Sequence, residues 1–107
     1  MQFGLNDNEI NKIQSIFLSF PQIEKVIVFG SRAKGNFKAG SDIDLTLLGN
    51  DLNLHLINEI SLKLDDLLMP YTFDLLVLKK IKNKDLLDHI HRAGKTFYIK
   101  NKNILHQ

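Results

Sequence analysis

The sequence predicts a mixed α/β fold of the α+β kind, in which a small sheet carries helices packed on one face. Three short apolar segments, beginning near Val26, Ser41 and Thr72, have the length and residue types of strands. Longer segments with apolar residues at helical spacing precede and separate them. The chain of 107 residues is long enough to bury one core, and we expect a single domain over residues 1–107.

The first predicted helix begins after Asn6, which forms a capping-box pattern with Glu9. Apolar residues then recur at helical spacing until Pro21 ends the pattern. The continuous apolar run at residues 26–29 predicts a buried strand that ends at Gly30. Because the connection to the next strand is shorter than the roughly dozen residues that a parallel crossover needs, we expect the first two strands to be antiparallel.

The later elements follow from turn and cap signals. Turn residues at 49–51 precede a second amphipathic helix that should end near Pro70. Asn83 is a typical N-cap for a third helix, which Gly94 would end. Residues 96–99 then predict a short terminal strand.

Composition limits the classes of function. The 14 Lys and Arg residues nearly balance the 12 Asp and Glu residues, so we expect no direct binding to nucleic acid. The chain has no cysteine, which excludes disulfides and thiolate metal sites. Since no apolar run approaches the ~20 residues of a membrane span, we expect no membrane partner and a cytoplasmic protein.

Two carboxylates lie one residue apart on the second predicted strand. Because strand side chains alternate between faces, Asp42 and Asp44 point the same way while Ile43 and Leu45 point into the apolar side. Two adjacent like charges repel each other unless a cation lies between them. Carboxylate oxygens are what Mg²⁺ takes from a protein when phosphates complete its shell. The pair therefore predicts a divalent metal site.

A Gly-Ser turn directly upstream suits a phosphate group. Gly30 has no Cβ, so a phosphate can approach the backbone there. If Ser31 opens a helical turn, its free N–H groups and hydroxyl face the same ligand, and Arg32 and Lys34 add positive charge. The turn is not a P-loop, because Asn36 follows Gly35 where that motif requires lysine.

Asp74 is the single acid in the third predicted strand. An ionised carboxylate within a buried strand costs several kcal/mol unless it is paired or bound to metal. Asp74 is therefore a candidate third metal ligand. By contrast, His89 and His91 lie two residues apart on a predicted helix, so they cannot bind one metal as an i, i+4 pair would, and we assign them no function.

The motif Gly-Ser, Gly35 and Ser41-Asp42-Ile43-Asp44-Leu45 resembles the signature of the polymerase β-like nucleotidyltransferases, in their minimal (MNT) branch. The resemblance implies that fold over most of the chain. It also implies transfer of AMP from ATP, with two Mg²⁺ ions as cofactors. The implied catalytic and metal-binding residues are Asp42, Asp44 and Asp74, and the implied nucleotide-binding residues are Gly30, Ser31, Arg32, Lys34 and Ser41.

The same resemblance suggests a biological role. Minimal nucleotidyltransferases typically act as antitoxins of HEPN-domain toxins, to which they bind and attach AMP. A HEPN toxin is therefore the expected partner, and a protein hydroxyl the expected acceptor. Two alternatives remain: an antitoxin that binds nucleotide without catalysis and acts by occlusion, and a homodimeric enzyme that modifies a small molecule.

Overall fold

The computed structural model describes residues 2–38 and 40–100. Over these residues, four helices and four strands follow one another, with a short 3-10 turn at Leu78–Lys80. In chain order they are α1 (Asp7–Leu18), β1 (Ile23–Phe29), α2 (Ser31–Lys34), β2 (Ile43–Gly49), α3 (Leu54–Asp65), β3 (Phe73–Val77), α4 (Lys84–Ala93) and β4 (Lys95–Ile99). The mixed α/β class is therefore confirmed.

The four strands form one mixed sheet in the order β3-β2-β1-β4. The predicted antiparallel pairing of β1 with β2 is confirmed, and β4 is the predicted terminal strand, antiparallel to β1. β3 pairs with β2 in parallel, which is possible because α3 supplies the long crossover between them. This pairing brings two acidic segments of the sequence side by side.

The core lies on one face of the sheet. Alternate residues of β1 and β2 point into it, among them Val26, Val28, Ile43, Leu45 and Leu47, all fully buried. α1 and α3 cover this face, and the side chains that they contribute to it are Ile10, Ile13, Phe17, Leu56, Ile60 and Leu64. Burial of this apolar surface is the main favourable contribution to folding.

Two helices, α1 and α4, begin after the predicted N-caps. Asn6 and Glu9 form the reciprocal hydrogen bonds of a capping box, at 2.8 and 3.0 Å. Asn83 caps α4 through hydrogen bonds from Asp85 and Leu86 N–H. α3 ends at Asp65, earlier than Pro70 predicts, because the last turn tightens into i to i+3 hydrogen bonds. In the described ranges, no helix has the length and apolarity to cross a membrane.

α4 lies on the opposite face from the one predicted. Its His89 contacts Phe29 and the Gly30 backbone, and Gly94 at its end lies against Ile27. Ile27 and Phe29 alternate with the core residues of β1, so they point to the other face of the sheet. That face therefore also has apolar residues to bury, and α4 covers them. Only α1 and α3 share the face that we predicted for all three long helices.

Candidate active site

Three aspartates come together at one edge of the sheet. Asp44 on β2 lies directly beside Asp74 on β3, in the register of the parallel pair. Asp42 directly precedes β2, and it raises the pKa of Asp44 as Asp74 does. Asp42 and Asp74 are exposed, and Asp44 is half-buried. The structure thus brings together the three acids that the sequence singled out.

Asp74 belongs to this cluster, although it is not buried as the sequence predicted. We expected an acid within a buried strand, but β3 is at the edge of the sheet and Asp74 is exposed. Its carboxylate is therefore not forced to bind a cation by desolvation. What draws attention to it is its position next to Asp44.

The electrostatics of the cluster are unfavourable without a cation. Burial raises the pKa of the Asp44 carboxyl above its ordinary value of 3.8, and the negative charges of Asp74 and Asp42 raise it further. The guanidinium of Arg32 opposes this rise. A charged His89 would oppose it too, whereas the hydrogen bond from Gly30 N–H requires that the accepting Nε2 carry no proton.

The donor set suits Mg²⁺ bound together with phosphates. Within residues 2–38 and 40–100, no group of three or more His, Cys, Asp or Glu side chains is arranged to hold a metal ion by itself. Mg²⁺ does not need such a group, because it usually takes one or two carboxylates and completes its shell with phosphates and waters. Asp44 and Asp74, side by side with mutually repelling charges, meet that requirement.

Gly30 occupies a position that only glycine fits. Its φ of 75° and ψ of −153° lie in a region that other residues rarely adopt. A Cβ built on Gly30 would collide with Oδ2 of Asp44. The backbone of the Gly-Ser turn is therefore in close contact with the carboxylate cluster. A phosphate that approached this turn would also be next to the acids.

The residues after Gly30 form α2, a helix of a single turn. Ser31, half-buried, begins it, and Gly35 ends it in the left-handed conformation with φ 86° and its N–H bonded to Ser31 O. Lys34 is exposed in this turn. Ser41 lies before β2, and its hydroxyl oxygen is buried without a hydrogen-bond partner among the described residues. The predicted nucleotide contacts of Ser31, Lys34 and Ser41 stay predictions.

Arg32 has a place that differs from the predicted one. Its side chain is 2% exposed, and its guanidinium donates to the carbonyl oxygens of Ser41, Asp42 and Phe3 at 2.7–3.3 Å. The group also stacks on the Phe37 and Tyr71 rings, with 5.1 and 4.8 Å to their centroids. Since all three guanidinium nitrogens already donate to backbone carbonyls and the side chain is buried, Arg32 holds the loops around the site together instead of facing a phosphate.

His89 is a site residue that the sequence did not reveal. Its Nε2 accepts a hydrogen bond from Gly30 N–H at 2.9 Å, and its ring packs edge-on against Phe29 with 6.2 Å between centroids. The helical spacing correctly predicted that His89 and His91 point in different directions, because His91 is exposed. The missing information was the face of the sheet that α4 covers, and no local pattern encodes that.

Comparison with protein families identifies the fold. A sequence model of the family "Polymerase beta, Nucleotidyltransferase" matches residues 11–103. The chain belongs to this nucleotidyltransferase family. The match includes the Gly-Ser turn, the Asp-x-Asp pair and Asp74, so the predicted family is confirmed. No curated protein sequence matches the nucleotidyltransferase chain.

Solved structures with the same fold come from toxin–antitoxin complexes. One, a toxin–antitoxin complex with AMP-PNP, is 27% identical over 92% of this nucleotidyltransferase and 77% of the other chain, with a TM-score of 0.67. A mutant MntA–HpeT complex is also 27% identical, over 92% and 76% of the two chains, with a TM-score of 0.65. A complex of the tri-AMPylated Shewanella oneidensis HEPN toxin with its MNT antitoxin shares the fold at 22% identity, with 94% and 78% covered and a TM-score of 0.65.

Proposed function

We propose that this protein is a Mg²⁺-dependent nucleotidyltransferase that moves AMP from ATP to a hydroxyl group of a partner protein. The observation that carries the proposal is the contact between two motifs. Asp44, which faces Asp74 in the strand register, lies against the α-carbon of Gly30. The carboxylates and the Gly-Ser turn would therefore form one site. A 27% identical relative that was crystallised with AMP-PNP, an ATP analogue, supports a nucleotide substrate.

Each residue has a proposed role. Asp42, Asp44 and Asp74 would share the binding of Mg²⁺ with the phosphates of ATP, one or two carboxylates to an ion, and the metal would supply neutralising charge at the phosphates and at the attacking and leaving oxygens. The turn at Gly30 and Ser31 would hold the triphosphate close to the acids. Lys34, which is exposed one turn later, would add positive charge near the phosphates.

The proposed reaction is an in-line displacement at the α-phosphorus of ATP. The acceptor oxygen forms the new P–O bond, the bond from the α-phosphorus to the bridging oxygen breaks, and pyrophosphate leaves. The proton of the acceptor hydroxyl goes to the Asp74 carboxylate. Asp74 suits this task because it is exposed at the sheet edge, where an incoming hydroxyl can reach it.

A protein acceptor suits the open form of the site. Asp42 and Asp74 are both exposed, so the described residues leave the acids open to water. A docked partner would cover them and hold its hydroxyl in line, and such positioning can contribute ~7–11 kcal/mol. We therefore propose a HEPN-type toxin as partner, which accords with the toxin–antitoxin relatives. The use of ATP also favours a cytoplasmic location.

The test is transfer of AMP to the product of the neighbouring gene, followed by intact mass spectrometry. With ATP and Mg²⁺, wild-type protein should add one or more AMP masses to that partner. Asp74→Asn should abolish the transfer. Asp65→Asn should not, because Asp65 is an exposed acid at the end of α3, on the other side of the sheet.

Two other results would select the alternatives. Binding and neutralisation of the toxin with no mass shift would favour an antitoxin that acts by occlusion. Rapid modification of a small metabolite by the isolated protein, again with no mass shift on the partner, would favour the homodimeric enzyme. Either result would reject AMP transfer to a protein.

A further inference from the structure

A polar contact joins α4 to the Gly-Ser turn at Gly30. His89 Nε2 lies 2.9 Å from the Gly30 nitrogen and accepts its N–H, between residues that are 59 apart in the sequence. Phe29, the residue before Gly30, packs against the edge of the same imidazole. His89 thus contacts two consecutive residues at the end of β1, one through a hydrogen bond and one through its ring.

Both backbone groups of Gly30 are hydrogen-bonded. The N–H is bonded to His89, and the carbonyl oxygen accepts the N–H of Lys34 at 3.2 Å, within α2. Glycine loses more conformational freedom on folding than any other residue, so it holds one conformation only where neighbours fix it. Here the fixed conformation is the one that keeps the α-carbon against Asp44.

The contact also changes which atoms remain for a phosphate. The Gly30 N–H is already donated to His89, so it is not the phosphate donor that a Gly-Ser turn suggests. The contribution of Gly30 is then the close approach of Asp44, whose Oδ2 lies where a side chain on Gly30 would stand.

We propose that His89 is a positioning residue of the nucleotide site. By accepting the Gly30 N–H, it holds the turn in the geometry in which the triphosphate lies next to Asp44. The inference rests on the proposed function, because it assigns His89 a part in nucleotide binding. It requires a neutral imidazole with its proton on Nδ1, since Nε2 must offer a lone pair.

The variants follow from the chemistry of the acceptor. His89→Leu removes the acceptor and keeps an apolar side chain against Phe29. His89→Gln restores an acceptor oxygen at about the distance of Nε2 from the backbone. His91→Leu is the matched control, because His91 is exposed on the same helix. Thermal unfolding of all three proteins separates a local effect from loss of the fold.

Two measurements then test the inference. The first is the nitrogen–nitrogen scalar coupling across the Gly30 N–H···Nε2 bond by NMR, which we expect in wild type and in His91→Leu. The second is calorimetric affinity for α,β-methylene-ATP with Mg²⁺. His89→Leu should weaken it up to about tenfold, the range of one ordinary hydrogen bond, and His89→Gln should recover most of it.

The outcomes are distinct from those of the proposed function. Absence of the coupling in wild type, or wild-type affinity in folded His89→Leu, would overturn the inference. If wild type itself binds no nucleotide, the proposed function fails. Hydrogen exchange at the Gly30 amide then decides whether His89 holds the turn in place. Faster exchange in His89→Leu but not in His89→Gln supports the positioning role, and unchanged exchange in His89→Leu overturns it.

Discussion

Among single residues, Asp44 is a carboxylate whose ionisation the fold disfavours. Its pKa is raised above 3.8, first by burial and then by Asp74 and Asp42. The folded protein therefore binds this proton more tightly than the unfolded chain does. Without a cation, the free energy of unfolding falls as the pH rises from 3.8 through the folded pKa.

The prediction is that Asp44→Asn is more stable than wild type at neutral pH in the absence of divalent cations. The gain should shrink as the pH falls through the folded pKa towards 3.8, and it should be gone below that pH, where the wild-type carboxyl is protonated in both states. Urea unfolding across this pH range, in EDTA, measures it. A variant that is less stable than wild type at neutral pH would show that Asp44 ionises without penalty.

Arg32 is the second residue with a predicted effect on stability. Lysine cannot reproduce the fork that reaches Ser41, Asp42 and Phe3, so Arg32→Lys leaves part-buried carbonyl oxygens without donors. We expect a loss of about 2–4 kcal/mol in the free energy of unfolding. Arg92→Lys, at an exposed position on α4, should change it by less than about 0.5 kcal/mol. Equal changes in the free energy of unfolding in the two variants would contradict this structural role of Arg32.

At the scale of elements, the Gly-Ser turn and α2 are bounded by two glycines that differ in their surroundings. Gly30 and Gly35 both have positive φ, 75° and 86°. A Cβ on Gly30 would meet Asp44, whereas a Cβ on Gly35 meets no described atom within 4 Å. The two alanine variants therefore share backbone strain, and only one also meets the carboxylate.

We expect Gly35→Ala to cost about 1–2 kcal/mol of stability and to keep nucleotide affinity. Gly30→Ala should cost more and should also lose affinity, because either Asp44 or the turn must move. Urea unfolding and calorimetry with α,β-methylene-ATP measure the two effects. Equal affinity in both variants would place the nucleotide away from this turn.

Some features of these elements could be predicted from the sequence, and others could not. The cap at Asn6, the strand that ends at Gly30 and the position of Asp44 on β2 follow local patterns, and the structure has them, although Asp42 lies just before the strand on which it was predicted. The burial of Arg32 and the contact of His89 depend on which distant loops and which face of the sheet each element meets. Periodicity carries no information on those tertiary choices.

At the scale of the whole molecule, the order of the strands in the sheet brings the acids of the candidate site together. Asp44 and Asp74 lie on different strands, and only the parallel pairing of β2 with β3 places them side by side. α1 and α3 bury the opposite face, so the fold can leave the acidic edge open without losing its core. This arrangement keeps three carboxylates together in a chain with a net charge of only +2.

The central claim is that these acids and the Gly-Ser turn form one Mg²⁺-dependent nucleotide site. The most direct measurement is calorimetric titration of α,β-methylene-ATP, which cannot transfer AMP, into wild type, Asp44→Asn and the control Asp65→Asn. We predict binding to wild type and Asp65→Asn with Mg²⁺, loss of that binding in EDTA, and at least about a tenfold weaker affinity in Asp44→Asn, or ~1.4 kcal/mol. Equal affinity with and without Mg²⁺, or wild-type affinity in Asp44→Asn, would contradict the claim.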